Sequence, residues 1–339
     1  MAAGICFLGM TLITGCFEEE EKPAAPDPGK PEVVIPPAEP ENPKPHPDPV
    51  TPTIPDPPEP PKPEPTSIAI VDLCSNSGMA DSIAEALGKD SGEQIDVESV
   101  ADNHQVLVVA VDPLLSEEAA MVLGNLFADG KKLILVGSPP GDNRPPCTTL
   151  IRPDDTAVGT LAGNWIVSEL ARQAEQSGRA SIAGNIVQIR ASDEDSVSVQ
   201  RYNGFIRILN RHIGAVFVHD GPGFWTKEDA KKRMEEALRI QKGIRVVYAH
   251  SDLMASGAVE AIAAHRKATP DAPEISIISV GGRSVDPESE GVDVSTSISV
   301  SPLAEKAVEV AQKIAMNAEF EPPSEIKIVL ESVVSATSE

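Results

Sequence analysis

The residues most suggestive of catalysis are His250, Ser251 and Asp252, which supply the three residue types of a hydrolytic triad. In such a triad a serine attacks a carbonyl carbon, a histidine takes the serine proton and a carboxylate orients the histidine. The three residues are sequence neighbours that follow an apolar, strand-like run, so their side chains cannot converge on one another. Triad members come from separate loops, and we therefore exclude this chemistry.

The sequence carries no other catalytic or cofactor motif. Gly221-Pro222-Gly223 follows an apolar run and precedes a helical stretch, but the third glycine of a dinucleotide-binding motif is missing, and we interpret it as a turn. The chain has no nucleophile elbow, no Walker loop and no His-Glu-x-x-His pattern. Its six histidines show no spacing typical of metal ligands. We expect no metal, no cofactor and no enzyme activity.

Short apolar runs alternate with helical stretches from Ser67 onward. The runs are uniformly apolar, as in parallel strands covered on both faces, and lie at 68–71, 106–111, 132–136, 186–189, 215–218, 245–248, 275–280 and 295–300. The helical stretches lie at 80–88, 116–128, 157–176, 198–211, 227–242, 253–268 and 302–318. This alternation predicts an α/β fold of mostly parallel sheets flanked by helices, with a ligand site at the carboxyl ends of the strands.

Capping residues mark the starts of several predicted helices, namely Ser116, Asp155 and Thr226. One segment does not fit the alternation. Residues 95–100 have the pattern of a further strand, but only a few residues separate them from the run at 106–111, and a parallel crossover takes about a dozen. Either this strand pairs antiparallel at a sheet edge, or it is not a strand.

The start of the chain resembles the export signal of bacterial lipoproteins. Residues 5–13 are apolar but too short for a membrane span, which takes about 20 residues. Ile13-Thr14-Gly15-Cys16 resembles the lipobox, in which a peptidase cuts before the cysteine. The resemblance implies a signal peptide at 1–15 and a lipidated Cys16, which would hold the protein on the periplasmic side of a bacterial membrane. The alternative is a chance cysteine after an apolar run.

Residues 16–66 are rich in proline and charged residues and almost lack aromatic ones. They cannot bury enough apolar surface to offset the entropy of ordering, which predicts a disordered linker. The part from Pro23 to Thr66 could reach about 140 Å at full extension. Residues 67–339 have the composition of an ordinary globular domain. The net charge of −24 argues against a nucleic-acid partner, because phosphate binding needs a surface of lysine and arginine.

Two cysteines, Cys74 and Cys147, remain once the signal peptide is removed and Cys16 is acylated. An oxidising compartment permits them to form a disulfide if their Cα atoms lie within about 7 Å of each other. The alternative is two separate buried thiols.

A series of loops carries the resemblance of this chain to a known family. The motif "RYNGF" from Arg201 opens a helix, Phe224-Trp225 lies in the next strand-to-helix loop, "VVYAHSDLMASGAVEAI" runs from strand to helix, and "ISIISVGGRS" ends in a glycine turn. Together with "LIRPDDTAVGTLAGNWI", their order resembles the periplasmic sugar-binding proteins of the ribose-binding type, which are related to the core of lac-repressor-like regulators. The resemblance covers nearly all of 67–333.

The resemblance implies two lobes that are joined by three crossings and close over a small polar molecule. The first lobe would comprise 67–151 and 302–323 and the second 152–301 and 324–339, with crossings near 151–153, 299–301 and 323–326. In the family, acidic and amide side chains accept hydrogen bonds from the ligand, an arginine donates to it and aromatic rings stack on it. Matched by position, the implied ligand-binding residues are Asn76, Ser138, Arg201, Trp225, Ser251, Asp252 and Arg283.

Only part of the family's sugar site is kept. Arg201, Trp225 and Asp252 match the family, although Trp225 could also be ordinary core packing. An asparagine has become Ser251, and an aspartate has become Arg283. Unpaired ligand hydroxyls cost about 1–3 kcal/mol each, whereas two arginines suit a carboxylate or phosphate. We therefore consider an acidic sugar-like ligand, a neutral sugar, and a degenerate cleft that binds neither.

These expectations combine into one function and one alternative. The first is a lipid-anchored, monomeric, extracytoplasmic solute-binding protein that delivers a sugar or a related polar or acidic molecule to the membrane permease of an ABC-type transporter. The alternative is a sensor or cell-envelope scaffold that has kept the fold while losing the sugar site. A transcription regulator is disfavoured, because no helix-turn-helix precedes Ser67.

Overall fold

A computed structural model describes residues 68–74, 78–88, 104–139, 141, 144–179, 182–212, 215–282, 294–331 and 333–335. Strands and helices alternate through most of these residues, as the apolar periodicity predicts. Their order is β1 (Ile68–Asp72), α1 (Met79–Leu87), β2 (Val106–Val111), α2 (Glu117–Ala128), β3 (Lys132–Gly137), β4 (Thr149–Pro153), α3 (Asp155–Gln176), β5 (Gly184–Arg190), α4 (Ser196–Leu209), β6 (Ala215–Pro222), α5 (Lys227–Ile240), β7 (Ile244–Ala249), α6 (Asp252–Ala268), β8 (Ser276–Val280), β9 (Val294–Ile298), α7 (Ser301–Met316), β10 (Glu325–Ile328) and β11 (Val333–Ser335).

The first lobe is built on a sheet with the strand order β1-β2-β3-β4-β10. All of its described strand pairs are parallel. Helices α1 and α7 pack together against one face, where Ile83 and Ala307 join the apolar core, and α2 covers the other face through Leu123. Both faces of β2 and β3 are therefore buried, which is why these strands are apolar at nearly every position.

The second lobe is built on a sheet with the strand order β11-β9-β8-β7-β5-β6. Its strands are parallel except β11, which pairs antiparallel with β9. Helices α3 and α4 pack together on one face, and α5 and α6 pack together on the other.

The chain passes between the two sheets three times. It leaves β4 of the first sheet at Asp154 and returns between β9 and α7. The third crossing lies between β10 and β11, after Ile328, which is later than the predicted 323–326. The physical reason is that β10 pairs in parallel with β4 and so belongs to the first sheet rather than to the second lobe.

The eight predicted strands and seven predicted helices are all present, most with ends within two residues of the prediction. The predicted strand at 95–100 lies outside the described residues. Strands β4, β10 and β11 are not among the predicted apolar runs. In β10 the sequence Glu-Ile-Lys-Ile alternates charged and apolar residues at a sheet edge and is only partly buried, so it lacks the uniformly apolar signature of the central strands.

Two of the three predicted helix caps are confirmed. The hydroxyl oxygens of Ser116 and Thr226 accept hydrogen bonds from the backbone N–H groups of Ala119 (3.1 Å) and Asp229 (3.2 Å). The prediction for Asp155 is wrong. Its neighbour Asp154 caps α3 by accepting from the N–H of Ala157 at 3.0 Å. Asp155 is instead the first residue of the helix and is buried.

The helices α3 and α4 approach each other unusually closely because glycines lie where they touch. A Cβ atom added to Gly204 would lie 2.1 Å from the carbonyl oxygen of Thr156, and one added to Gly159 would lie 1.9 Å from that of Arg201. Any side chain at these positions would force the helices apart. This close contact sets the distance between the first turns of α3 and α4.

The two cysteines of the domain lie on opposite faces of the first sheet. Cys74 packs against the core that includes α1 and α7, and Cys147 packs against the core that includes α2. No disulfide joins them. The structure therefore agrees with the alternative expectation, two separate thiols. Burial raises the pKa of the Cys147 thiol. None of the helices in the described part of the chain is long and apolar enough to cross a membrane.

We predict that Gly204→Ala destabilises the domain by about 1–3 kcal/mol, the usual cost of forcing an extra carbon into a packed contact. Urea unfolding of the purified domain measures this effect. Gly124→Ala is the matched control, since a Cβ at Gly124 in α2 would lie 3.8 Å from its nearest neighbour. That variant should be as stable as the natural protein or more stable by about 1 kcal/mol, because alanine favours helix. Equal losses in both variants would contradict close packing at Gly204.

Candidate functional site

A cavity of about 110 Å³ lies where the carboxyl ends of strands from both sheets meet. Residues that follow β2, β3 and β4 line it from the first lobe, and residues that follow β7 and β8 line it from the second. This is the position that the parallel topology predicts for a ligand.

The cavity wall is mostly apolar with a few polar groups. The apolar side chains come from both lobes and include Met79, Val111, Leu114, Leu253, Val280, Val300 and Leu303. The polar ones are Asp112, Ser138, Arg201, His250, Ser251 and Asp252. A small number of polar groups set in an apolar wall is typical of small-molecule sites, in which the polar groups fix the orientation of the ligand.

Arg201 is a buried residue of the cavity wall, and two hydrogen bonds fix its guanidinium group. Its Nε donates to Oδ1 of Asp155 at 2.9 Å, and its Nη1 donates to the carbonyl oxygen of His250. Its guanidinium carbon also lies 5.8 Å from the centre of the Trp225 ring, within reach of a cation–π interaction. Nη2 has no hydrogen-bond partner among the described residues, so both of its N–H groups remain to donate to a ligand.

Asp155 lies behind Arg201, and its side chain is fully buried. While Oδ1 accepts from Arg201, Oδ2 accepts from Nη2 of Arg152 at 2.6 Å. One carboxylate therefore neutralises part of the charge of two guanidinium groups. Because Arg152 belongs to β4, this ion-pair network connects the first crossing between the lobes with the cavity wall.

Asp252 begins helix α6 beside the cavity. Its Oδ1 accepts hydrogen bonds from the hydroxyl groups of Ser297, at 2.7 Å, and of Ser279. The backbone of Gly281 closely approaches the same carboxylate, since an added Cβ would lie 2.3 Å from Oδ2. Gly281 also has a φ of 150°, which favours glycine. The preceding Ser251 caps the helix by accepting from the N–H of Met254 at 3.2 Å.

Trp225 reaches the cavity through an unusual backbone turn. Phe224 and Trp225 have φ angles of 47° and 59°, in the left-handed region that non-glycine residues rarely adopt. Two such residues in succession cost on the order of 1–3 kcal/mol each, and they persist only where the surroundings enforce them. Trp225 packs with the core between the second sheet and helices α5 and α6, and it also lines the cavity. It is therefore both a core residue and a wall residue.

His250 is a fully buried residue that contributes to the cavity wall. The side-chain amide of Gln188 donates to its Nε2 at 2.7 Å, and its ring lies 4.8 Å from that of Tyr248 and 6.4 Å from that of Trp225. Burial, with smaller contributions from Arg201 and Arg190, lowers the pKa of His250 well below its usual value. The imidazole is therefore neutral and serves as packing and hydrogen-bonding support for the wall.

The structure brings together five of the residues implied by the resemblance, namely Ser138, Arg201, Trp225, Ser251 and Asp252. Asn76, Arg283 and Cys16 lie outside the described residues. The part of the chain that the structure describes contains no group of three His, Cys, Asp or Glu side chains placed to hold a metal ion.

Sequence reasoning missed Asp112 in the wall and Asp155 behind it. The sequence did contain a pattern that indicates a role for Asp155. Two consecutive aspartates, Asp154 and Asp155, start helix α3, and only one residue can be the cap. The second aspartate needs another partner, and Arg152, three residues earlier, and Arg201 provide it.

Comparison with known proteins agrees with this geometry. A sequence profile of the periplasmic binding protein domain matches residues 69–316. The galactofuranose-binding protein YtfQ of Escherichia coli strain K12 is 28% identical over 117 residues, which are 34% of this chain and 34% of YtfQ. The matched segment thus spans about a third of the length of that relative.

Two solved structures are similar in fold. The crystal structure of a galactofuranose binding protein has a TM-score of 0.52 and 20% identity, covering 80% of this chain and 94% of the other. That of a periplasmic ribose ABC transporter protein from Conexibacter woesei DSM 14684 has a TM-score of 0.55 and 15% identity, covering 80% and 91%. Together with the profile match, they confirm the two-lobed α/β fold and the predicted resemblance, which is to binding proteins and not to enzymes.

Burial of neutral His250 predicts a pH dependence of stability. Its pKa is lower in the folded state than in the unfolded state, where it is about 6.5, so below that pH the unfolded chain gains a proton that the native protein does not. This loss of stability at pH 5 is at most about 2 kcal/mol, the value for a native imidazole that stays neutral at that pH. In urea unfolding at pH 7 and pH 5, His250→Gln should lose less stability on acidification than the natural protein. An unchanged pH dependence in His250→Gln would contradict the prediction.

Proposed function

Because the chain belongs to the periplasmic binding protein family, we propose that it is a solute-binding protein that takes a sugar or a related small polar molecule into the cleft between its lobes. The observation that carries this proposal is the convergence of Arg201, Asp252 and Trp225 on one cavity at the carboxyl ends of both sheets. Each of the three supplies a different element of polyol recognition: a donor, an acceptor and an aromatic face.

In this proposal the second lobe holds the ligand first. Nη2 of Arg201 donates to a ligand oxygen, the carboxylate of Asp252 accepts from a hydroxyl group, and the ring of Trp225 contacts the apolar face of the ligand. The first lobe then rotates about the three crossings and covers the ligand with Ser138 and the apolar residues near it, including Leu114. Such closure around a ligand is a hinge motion that a few crossing residues absorb.

We further propose that Cys16 carries a lipid anchor, that residues 16–66 are the linker to the domain, and that the loaded protein delivers its solute as a monomer to the permease of an ABC-type transporter. The support for the anchor is the lipobox-like sequence before Cys16. The second candidate is a sensor or envelope scaffold with a degenerate cleft. The observation that favours it is the mostly apolar wall, to which Val300 and Gly137 contribute no polar side chain.

A ligand screen separates these two candidates. Purified residues 67–339 would be unfolded thermally in the presence of neutral sugars, sugar acids, sugar phosphates and other polar metabolites. A ligand at a hundred times its dissociation constant stabilises the native state by about 2.7 kcal/mol, which shifts the melting midpoint visibly. One strong hit supports the binding protein. No shift across the library would favour the scaffold.

With a ligand from this screen, Asp252→Asn should weaken binding about tenfold or more, because a charged acceptor contributes about 1.5–3 kcal/mol to a hydrogen bond. Titration calorimetry gives the two dissociation constants. Asp271→Asn is the control, since Asp271 is an exposed residue in the turn after α6. Equal affinities of the Asp252→Asn variant and the natural protein would place the ligand elsewhere.

For the anchor, Cys16→Ser should abolish incorporation of a labelled fatty acid and move the protein from the membrane fraction to the soluble fraction of the bacterium that produces it. A thiol is needed for the first acyl linkage, and serine lacks it. Cys6→Ser, in the preceding apolar run, should leave both properties unchanged. Labelled Cys16→Ser protein in the membrane fraction would refute the proposed lipidation site.

A further inference from the structure

We propose that Asp155 is a specificity-determining residue that makes the cleft unfavourable for anionic ligands, although it does not line the cavity. This inference rests on the proposed function and concerns the same site. It starts from the ion-pair network in which the Asp155 carboxylate accepts from Arg201 at 2.9 Å and from Arg152 at 2.6 Å.

The charge of Arg201 is compensated before any ligand arrives. The Asp155 side chain is fully buried and that of Arg201 is 6% exposed, so water and salt screen their attraction weakly. Because the effective dielectric constant is lower inside a protein than in water, burial strengthens the attraction between the two charges. A ligand therefore meets a guanidinium group whose positive charge is partly balanced from behind.

The remaining charges of the described wall are negative. Arg201 is the one cation among the described lining residues, while Asp112 and Asp252 are both anions. Both carboxylates repel a carboxylate or phosphate that approaches Arg201, whereas a neutral ligand meets no such repulsion.

The geometry of Arg201 points in the same direction. Arginine grips carboxylates and phosphates best through two parallel N–H bonds. In this protein the N–H of Nε and one N–H of Nη1 already donate, to Asp155 and to the carbonyl oxygen of His250, so a parallel pair that includes Nε is not available to a carboxylate. The N–H groups that remain, on Nη2 and Nη1, can donate singly to a neutral hydroxyl or ring oxygen.

The test is a charge-conserving double variant, Arg152→Gln with Asp155→Asn. In the natural protein the two arginines and Asp155 together carry a net charge of +1, shared between two guanidinium groups. The double variant keeps the charge of +1 and concentrates it on Arg201, so the net charge of the protein does not change. Arg152→Gln alone is the matched control, because Asp155 still compensates Arg201 in it.

Inorganic phosphate is the probe, titrated by calorimetry at constant ionic strength into the three proteins. We expect the double variant to bind phosphate about tenfold more tightly than the natural protein, or better, and the Arg152→Gln control to show no gain. Removing Arg201 as well, by Arg201→Gln, should abolish the gain. Equal phosphate affinities of the natural protein and the double variant would overturn the role of Asp155.

A second measurement needs no variant, which matters if the double variant fails to fold. The natural protein should bind glucose, galactose or ribose more tightly than the sugar acid or sugar phosphate made from the same sugar. If it binds the acidic partners equally well or better, the inference is wrong while the proposed function stands. If it binds no sugar of either kind, the proposed function fails, and the phosphate comparison still decides what Asp155 does.

Discussion

The ion pair between Asp155 and Arg201 is the interaction on which the rest of the site depends. It joins the first turn of α3 to α4, and through Arg152 it reaches the strand at which the chain first crosses between the lobes. Breaking a buried pair by removing one partner typically costs 3–5 kcal/mol, because the other charge is left without compensation. The pair can form only where α3 and α4 touch closely, and Gly159 and Gly204 provide that contact. Two residues without side chains thus position the charged groups of the cleft.

The second lobe also stores backbone strain next to the ligand site. Trp225 and the residue before it adopt left-handed angles, and Gly281 brings its backbone against the carboxylate of Asp252. Strained backbone angles of this kind persist only where the surrounding packing enforces them. The apolar core between the second sheet and helices α5 and α6 provides this constraint around Trp225. A wall fixed in this way presents its donor, acceptor and ring in place before a ligand binds, which lowers the ordering cost of binding.

The fold was largely predictable from the sequence, whereas the electrostatics of the site were not. Apolar periodicity located the central strands because burial on both faces requires it, but it missed β10, an edge strand of alternating charged and apolar residues. Matching loops by position located Arg201, Trp225 and Asp252 at the cavity. A count of the arginines at the matched positions, Arg201 and Arg283, favours an acidic ligand. That count treats each side chain as isolated, whereas the effective charge of Arg201 depends on a partner 46 residues away in sequence, which only the packing of α3 on α4 brings near.

The two lobes contribute unequally to the cleft, and this asymmetry bears on how closure can work. The second lobe supplies Arg201, Trp225 and Asp252, while the first lobe supplies mainly apolar side chains with Ser138 and Asp112. Closure of the first lobe would therefore gain free energy mostly by removing apolar surface from water, at about 25 cal/mol per Å², rather than by forming many new hydrogen bonds. Apolar burial is non-directional and discriminates poorly between similar ligands. In the proposed function, selectivity would then arise before closure, in the second lobe, where the buried carboxylate of Asp155 accepts from Arg201 and offsets part of its charge.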